Sequence, residues 1–193
     1  MNKYNLSITS LVCLAILGAS LACTWPLSRL CHASLLAGMV LYYAFICVFT
    51  LIVAVLIQRI FPVRPGIYRY SLDLKPCFIW GLRSYLLALF LWPFYQGVLL
   101  SPFLRGYFYK LLGMKTGKGI LVVGAIIYDP ELVTLGDESM VGHDALFLPH
   151  AINVIRDEDV LVLGRISVGQ RAIIGAKTTV MANVEIGDDA MVT

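Results

Sequence analysis

The chain has 193 residues, 59% of them hydrophobic and only 14% charged, with a mean hydropathy of +0.82, which lies outside the usual range of soluble globular domains. The charge is split: residues 1–122 hold eleven bases against the single acid Asp73, whereas residues 123–193 hold four bases, Arg156, Arg165, Arg171 and Lys177, against eleven acids. A basic apolar part suits an anionic lipid surface, where each base gains about 1 kcal/mol. The acidic part suits water, and nucleic acid is not an expected partner. The five cysteines, Cys13, Cys23, Cys31, Cys47 and Cys77, all fall in the apolar part. They lack the short paired spacing of a metal or redox motif and read as small buried residues.

The uncharged run from Leu6 to Leu21, with flanks to Trp25, reaches the roughly 20 residues needed to cross a bilayer core and predicts a membrane helix over about residues 6–25. Lys3 before an apolar stretch, and Ser20-Leu21-Ala22 before Cys23, also fit a cleaved signal peptide; a second apolar segment following so closely favours the helix. Ser34 to Ile57 carries no charge over 24 residues and predicts a second span over about 34–57. Arg59, Arg64, Arg69 and Lys75 after it outweigh Arg29 before it, so the positive-inside rule puts this linker and the amino terminus in the cytoplasm. Residues 1–75 are thus expected to form a multi-pass anchor in the inner (plasma) membrane, with lipids as partners.

Phe78 to Leu104 is apolar but contains Arg83, Pro93 and Pro102. Pro93 would kink or divide a helix, and Trp80, Trp92, Tyr95, Tyr107 and Tyr109 are residue types of the headgroup level. Residues 76–122 are therefore expected as interfacial or re-entrant helices, with a full crossing as the alternative. The in-plane arrangement keeps residues 123–193 in the cytoplasm.

From Val123 a six-residue period begins, the mark of a parallel β-helix. Val168, Ile174, Val180, Ile186 and Val192 are spaced by six, with glycine following at 169, 175 and 187 and compact residues four positions on at Ala172, Thr178, Val184 and Ala190. All five aliphatics are β-branched, which suits a pleated interior. An earlier block, Val123-Gly124, Leu135-Gly136, Val141-Gly142 and Phe147, places Ile127, Val133, Ser139 and Ala145 in the compact positions and is broken at Asp129-Pro130. The two blocks are three residues out of phase, so residues 148–167 must contain a loop outside the coil, a place where a site can lie. Thr193 stands second in a hexapeptide, and a solenoid needs a cap over its last apolar layer, so a β-helix truncated at its C-terminus is expected over 123–193.

The stretches Leu112-Gly113-Met114-Lys115-Thr116-Gly117-Lys118-Gly119, Asp129-Pro130-Glu131-Leu132-Val133-Thr134-Leu135-Gly136-Asp137, Leu148-Pro149-His150 and Ile186-Gly187-Asp188-Asp189-Ala190 carry a resemblance. Over about residues 76–193 the chain resembles the left-handed β-helix (hexapeptide-repeat) acyltransferases. Within them it is most similar to the membrane-associated carboxy-terminal region of nonribosomal-peptide-synthetase-like poly-amino-acid synthetases. The resemblance implies acyl transfer from a thioester, acyl- or acetyl-coenzyme A or a carrier-protein thioester, to a hydroxyl or amine. It also implies a homotrimer with coenzyme and acceptor in the groove between two β-helices; no metal is expected from the cysteine spacing and the few histidines.

By its place in the loop His150 matches the family's general base. Such a base takes the acceptor's proton while backbone N–H groups hold the oxyanion, and an imidazole of ordinary pKa about 6.5 is mostly neutral at cytoplasmic pH. His143, on the outside of the coil, and Asn153, in the loop, are candidate substrate contacts. Lys177 and Arg171 are candidate contacts for coenzyme phosphates. All four are also residue types that simply face water. Asp157, Glu158 and Asp159 either orient a histidine or form a solvated turn.

The leading function is a membrane-anchored acyltransferase for a lipid-linked or envelope-bound acceptor, because anchoring concentrates such substrates. The alternative is a non-catalytic or truncated membrane module of a larger peptide-forming synthetase. A zinc carbonic anhydrase on the same scaffold would need three histidine ligands, and only His143 and His150 lie in the β-helix, with His32 in the membrane part.

Overall fold

In the computed structural model, which describes residues 3–30, 34–88, 102–155 and 157–193, the two apolar runs form helices α1 (Lys3–Leu30) and α2 (Leu35–Ile60). Ser34 caps α2, its hydroxyl accepting the Ala37 N–H at 3.3 Å, which satisfies one orphan donor of the helix start. Arg29 and Arg59 sit in the last turns, where a base is favoured, so both helices outrun their uncharged cores. The buried hydroxyls of Ser20 and Thr24 donate to the carbonyls of Ile16 and Ser20 at 2.7 and 2.8 Å. An apolar helix can therefore hold them without stranded donors. Leu11, Leu14, Leu36, Val40, Val48 and Leu56 are all exposed, where a water-facing helix would carry polar residues.

Helix α3 (Leu74–Leu86) packs on both through a cluster of Ile16, Ile46, Leu82 and Leu86. Residues 89–101, with Trp92, Pro93 and Tyr95, lie outside the described residues, and with them the question of whether Phe78 to Leu104 crosses a membrane. Of the described cysteines, Cys47 and Cys77 are buried, and Cys13 and Cys23 are half-buried.

From Lys115 the chain winds through three parallel sheets. The first stacks β2 (Lys115–Thr116), β5 (Val133–Leu135), β10 (Ile166–Val168) and β13 (Glu185–Ile186). The second stacks β3 (Leu121–Val122), β6 (Met140–Val141), β11 (Ile173–Ile174) and β14 (Met191–Val192). The third stacks β4 (Ile126–Ile127), β7 (Leu146–Leu148) and β12 (Thr179–Met181). Ser167 lies opposite Glu185 and Ile173 opposite Met191, eighteen positions on, so three hexapeptides make one turn of a three-sided parallel β-helix. Thr134 and Ser167 are also neighbours, thirty-three positions apart. The fifteen residues in excess of one turn are two and a half hexapeptides, which accounts for the three-residue phase shift.

Val141, Phe147, Val168, Ile174 and Val180 fill the interior, with Ser139, Ala145 and Ala172 in the compact positions; Ser139 donates its hydroxyl to the Gly136 carbonyl at 2.8 Å. The expected register of the first block is one residue late. Val122, not Val123, pairs with Val141, and Ile127, expected in a compact position, pairs with Phe147 at the large aliphatic position. The side from Val122 to Ile127 is one residue short of a hexapeptide, so the six-residue spacing fails there. The coil also takes in Lys115–Thr116, upstream of 123.

Six corners turn through a residue three places after the aliphatic, Glu138, Asp144, Arg171, Lys177, Asn183 and Asp189, with φ between 54 and 64°, the left-handed region in which Asn and Asp are enriched. Helix α4 (Pro102–Leu111) packs on the first coil. The buried Tyr109 hydroxyl donates to the Ala125 carbonyl at 2.9 Å and accepts the Ile127 N–H at 3.1 Å, and burial pushes its phenol well up. Cys47, Leu51 and Val55 of α2 join the same core cluster.

A Cβ on Gly136 would stand 2.6 Å from the Gly169 carbonyl carbon of the next coil. Gly136→Ala is therefore expected to cost about 1–3 kcal/mol. Thermal unfolding in detergent followed by circular dichroism reads it; an unchanged midpoint would contradict the stacking.

Candidate functional site

The fifteen-residue excursion is an antiparallel hairpin of β8 (His150–Ile155) and β9 (Glu158–Leu163). The linker after α2 returns to it as β1 (Gly66–Arg69), which pairs with β9 and makes a three-stranded sheet. His150 is thus the first residue of β8, where the chain leaves the coil, and its cross-strand partner is Leu163.

The break at Asp129-Pro130 faces it. Asp129 has φ 41° and leads into a single 3-10 turn, Pro130–Leu132. Left-handed geometry is rare for a non-glycine residue, the more so before proline, and holding it costs about 1–3 kcal/mol. The turn leaves the Asp129 side chain 4% exposed, with Oδ2 2.5 Å from His150 Nδ1. Its other oxygen, Oδ1, accepts the indole Nε1–H of Trp80 at 3.0 Å. Trp80 and Tyr128 meet the imidazole edge-on, with ring centroids 5.0 and 5.6 Å away. The His150 side chain is 19% exposed, and among the described residues its Nε2 has no hydrogen-bond partner. A carboxylate on Nδ1 makes that nitrogen the N–H and leaves Nε2 as the basic one.

One turn after Trp80, α3 brings Arg83 into ion-pair contact with Glu131, their side chains 3% and 9% exposed. Arg83 Nη1 and both carboxylate oxygens nevertheless lack hydrogen bonds of good geometry, so the pair is close but imperfectly satisfied. Burial pushes the Glu131 carboxyl up, Arg83 pulls it back, and burial wins.

The other expected site residues lie elsewhere. Asn153 is exposed, an odd number of places along β8 and so on the opposite face of the hairpin from His150. His143 is an exposed corner residue with Nδ1 3.1 Å from Asp144 Oδ2. Its carbonyl accepts the Lys177 N–H at 2.9 Å, so these two candidates share adjacent corners of successive coils. Arg171 forms two hydrogen bonds of 2.6 and 2.7 Å to Asp189, which raises its guanidinium and lowers the carboxyl. None of the four reaches His150 by a hydrogen bond, ion pair or ring contact among the described residues.

Asp157, Glu158 and Asp159 lie at the far end of the hairpin from His150. Glu158 is 3.4 Å from Arg69, and the Asp159 carbonyl accepts the Tyr70 N–H at 3.0 Å. The carboxylate on His150 is instead Asp129, which the sequence marks as a break in the period and as part of a resemblance stretch but not as a partner of His150. Trp80, Tyr128, Arg83 and Glu131 carried no sequence signal for this role. Among the described residues no three His, Cys, Asp or Glu side chains gather as a metal site.

No protein-family model matches the chain. "Putative acetyltransferase YvoF" of Bacillus subtilis is 29% identical over 100 residues, covering 48% of this chain and 55% of that protein, so the chain spans about half the length of the curated relative it matches. A solved serine acetyltransferase isoform 3 from Entamoeba histolytica, in complex with cysteine, aligns over 95% of this chain and 70% of that one at 14% identity and a TM-score of 0.24.

Arg83→Met strands a buried carboxylate and is expected to cost about 3–5 kcal/mol near neutral pH. A carboxyl whose folded pKa is raised favours the folded state below its ordinary value of 4.5 and loses that contribution as pH rises through the folded value. The loss in Arg83→Met should therefore shrink as pH falls toward 4.5, and Arg83→Met/Glu131→Leu should recover stability at neutral pH. Chemical denaturation across pH checks both; a pH-independent loss would remove Glu131 as its cause.

Proposed function

We propose that the chain is a membrane-anchored acyltransferase of the hexapeptide-repeat kind, moving an acyl group from a thioester to a hydroxyl or amine, with His150 as general base. The observation that carries this reading is the Asp129–His150 pair, seated between Trp80 and Tyr128 with Nε2 unengaged. The similarity to a protein named as an acetyltransferase supports the reaction class, and the motif resemblance supports a left-handed coil and a place beside the poly-amino-acid synthetase regions.

In the step, the acceptor oxygen or nitrogen attacks the thioester carbonyl carbon while Nε2 takes its proton. The carbonyl oxygen becomes an oxyanion held by backbone N–H groups. Collapse breaks the C–S bond, and the imidazolium returns its proton to the departing thiolate, so the imidazole ends as it began. Asp129 fixes the ring and stabilises the transient imidazolium, as the acid of a triad does. Acetyl- or acyl-coenzyme A is the donor we favour, with a carrier-protein thioester as its chemical equivalent. In a homotrimer, the corner carrying His143 and Lys177 would face the neighbouring coil, with the Lys177 ammonium available to a coenzyme phosphate; Arg171 is already committed to Asp189.

The apolar exposed faces of α1 and α2, each long and apolar enough to cross a bilayer, support the anchor. The bases from Arg59 to Lys75 support a cytoplasmic β-helix at the inner membrane.

His150→Ala is expected to lower acetyl-coenzyme A turnover by membranes carrying the chain at least about 100-fold, read as release of free thiol, with the protein still folded and membrane-bound. Asp129→Asn should fall between the two. Unchanged turnover in His150→Ala would sink the assignment.

A further inference from the structure

A cavity lies beside the site, at the foot of α2. It has a volume of about 260 Å³ and is walled by Ile60, Phe61, Val63, Tyr68, Ile79 and Leu163, with Arg64 and Lys75 among its lining. The lining holds no acid, and neither base has a carboxylate partner among the described residues. Lys75 Nζ sits 5.3 Å from the centre of the Phe61 ring. The Tyr68 hydroxyl donates to the Arg64 carbonyl at 2.9 Å, which folds the linker around the opening. Ile60 and Phe61 of the lining are themselves exposed, so the opening is apolar as well as basic. An apolar cavity with a few convergent charges is what a ligand site requires, and cations over apolar walls select an anion that carries a hydrocarbon part.

Its place relative to the histidine is fixed by the strands. Leu163, one wall, is the cross-strand partner of His150. It belongs to a buried cluster with Trp80, Cys77, Leu132 and Leu161, against which the lining residues Val63 and Tyr68 also pack. Leu163 thus lines the cavity and neighbours His150 in the sheet. The cavity also opens where the apolar run of α2 gives way to bases, the composition of a bilayer's headgroup level.

We infer that this cavity binds the phosphate headgroup and adjoining chain of an anionic membrane lipid, with Arg64 and Lys75 on the phosphate and Ile60, Phe61, Val63 and Ile79 on the hydrocarbon. The inference rests on the membrane-anchor reading but not on the acyl-transfer reading. It holds His150 at headgroup level, where a lipid-linked acceptor can reach it from the bilayer without leaving the surface.

The test is native mass spectrometry of the full chain released from nanodiscs of phosphatidylglycerol or of phosphatidylcholine. One phosphatidylglycerol is expected to remain bound, and no phosphatidylcholine. Arg64→Gln/Lys75→Gln should weaken retention about thirtyfold, at about fivefold per base. Arg59→Gln, which removes a nearby charge outside the cavity, should leave it within about twofold. Ile79→Trp, which fills the cavity at constant charge, should abolish retention, and all variants are checked for unchanged helicity. Excess inorganic phosphate should not displace the lipid; full displacement would make this a free-phosphate site and overturn the lipid assignment, as would equal retention in Ile79→Trp or in the double variant. His150→Ala should keep the lipid, so loss of acyl-transfer activity and loss of this site are read separately.

Discussion

The carboxylate of Asp129 is shared between two rings. One oxygen takes the indole N–H of Trp80 from the helical part of the chain, and the other takes the imidazole of His150 from the β-hairpin. Most of what is distinctive about the molecule converges on those two contacts. The first coil is interrupted to present this residue, the hairpin leaves the second coil beside it, and α3 lies where its tryptophan can reach. At 4% side-chain exposure an unpaired carboxylate would be costly, so the three elements hold one another in place through the same buried charge.

A second buried charge lies two residues on. The Arg83–Glu131 pair repeats the connection between α3 and the interrupting turn, at an electrostatic loss that the raised Glu131 carboxyl records. Buried ion pairs rarely add net stability and are better at fixing one arrangement among several. Here the pair joins α3 to the interrupting turn beside the Trp80–Asp129 contact. The linker strand β1, paired with β9, ties the foot of α2 to the same hairpin. On the proposed reading, the anchor is a structural part of the catalytic centre as well as a tether.

Much of this was legible in the sequence where one residue type repeats at a fixed spacing. The aliphatics from Val168 to Val192 announce the coil because every corner imposes the same turn. The three-residue phase slip locates the hairpin, since any excursion that is not a multiple of six shows as a change of phase. The six-residue spacing misplaces the first coil because its side from Val122 to Ile127 is one residue short, which moves Ile127 from a compact to a large position. That Asp129 is the partner of His150 is not legible in the sequence. A carboxylate that orients an imidazole is chosen by three-dimensional proximity, and the acidic run Asp157-Glu158-Asp159, near in sequence, lies at the other end of the hairpin. Asp129 did leave one trace, as the break in its own repeat, and a residue that disrupts a strict period at a cost in backbone strain is where a site is expected. The contributions of Trp80 and Arg83 depend on how α3 packs, which no local pattern encodes.

The proposed mechanism depends most directly on which ring nitrogen of His150 carries the proton. Nitrogen-15 NMR of the ring-labelled histidine, at mildly alkaline pH where an imidazole is neutral, reads this without any substrate. The expected result is a proton on Nδ1, held by Asp129, and a bare, basic Nε2, with that preference weakened in Asp129→Asn. A proton on Nε2 in the unmodified chain would contradict the mechanism, because the nitrogen left unengaged could then not act as the base.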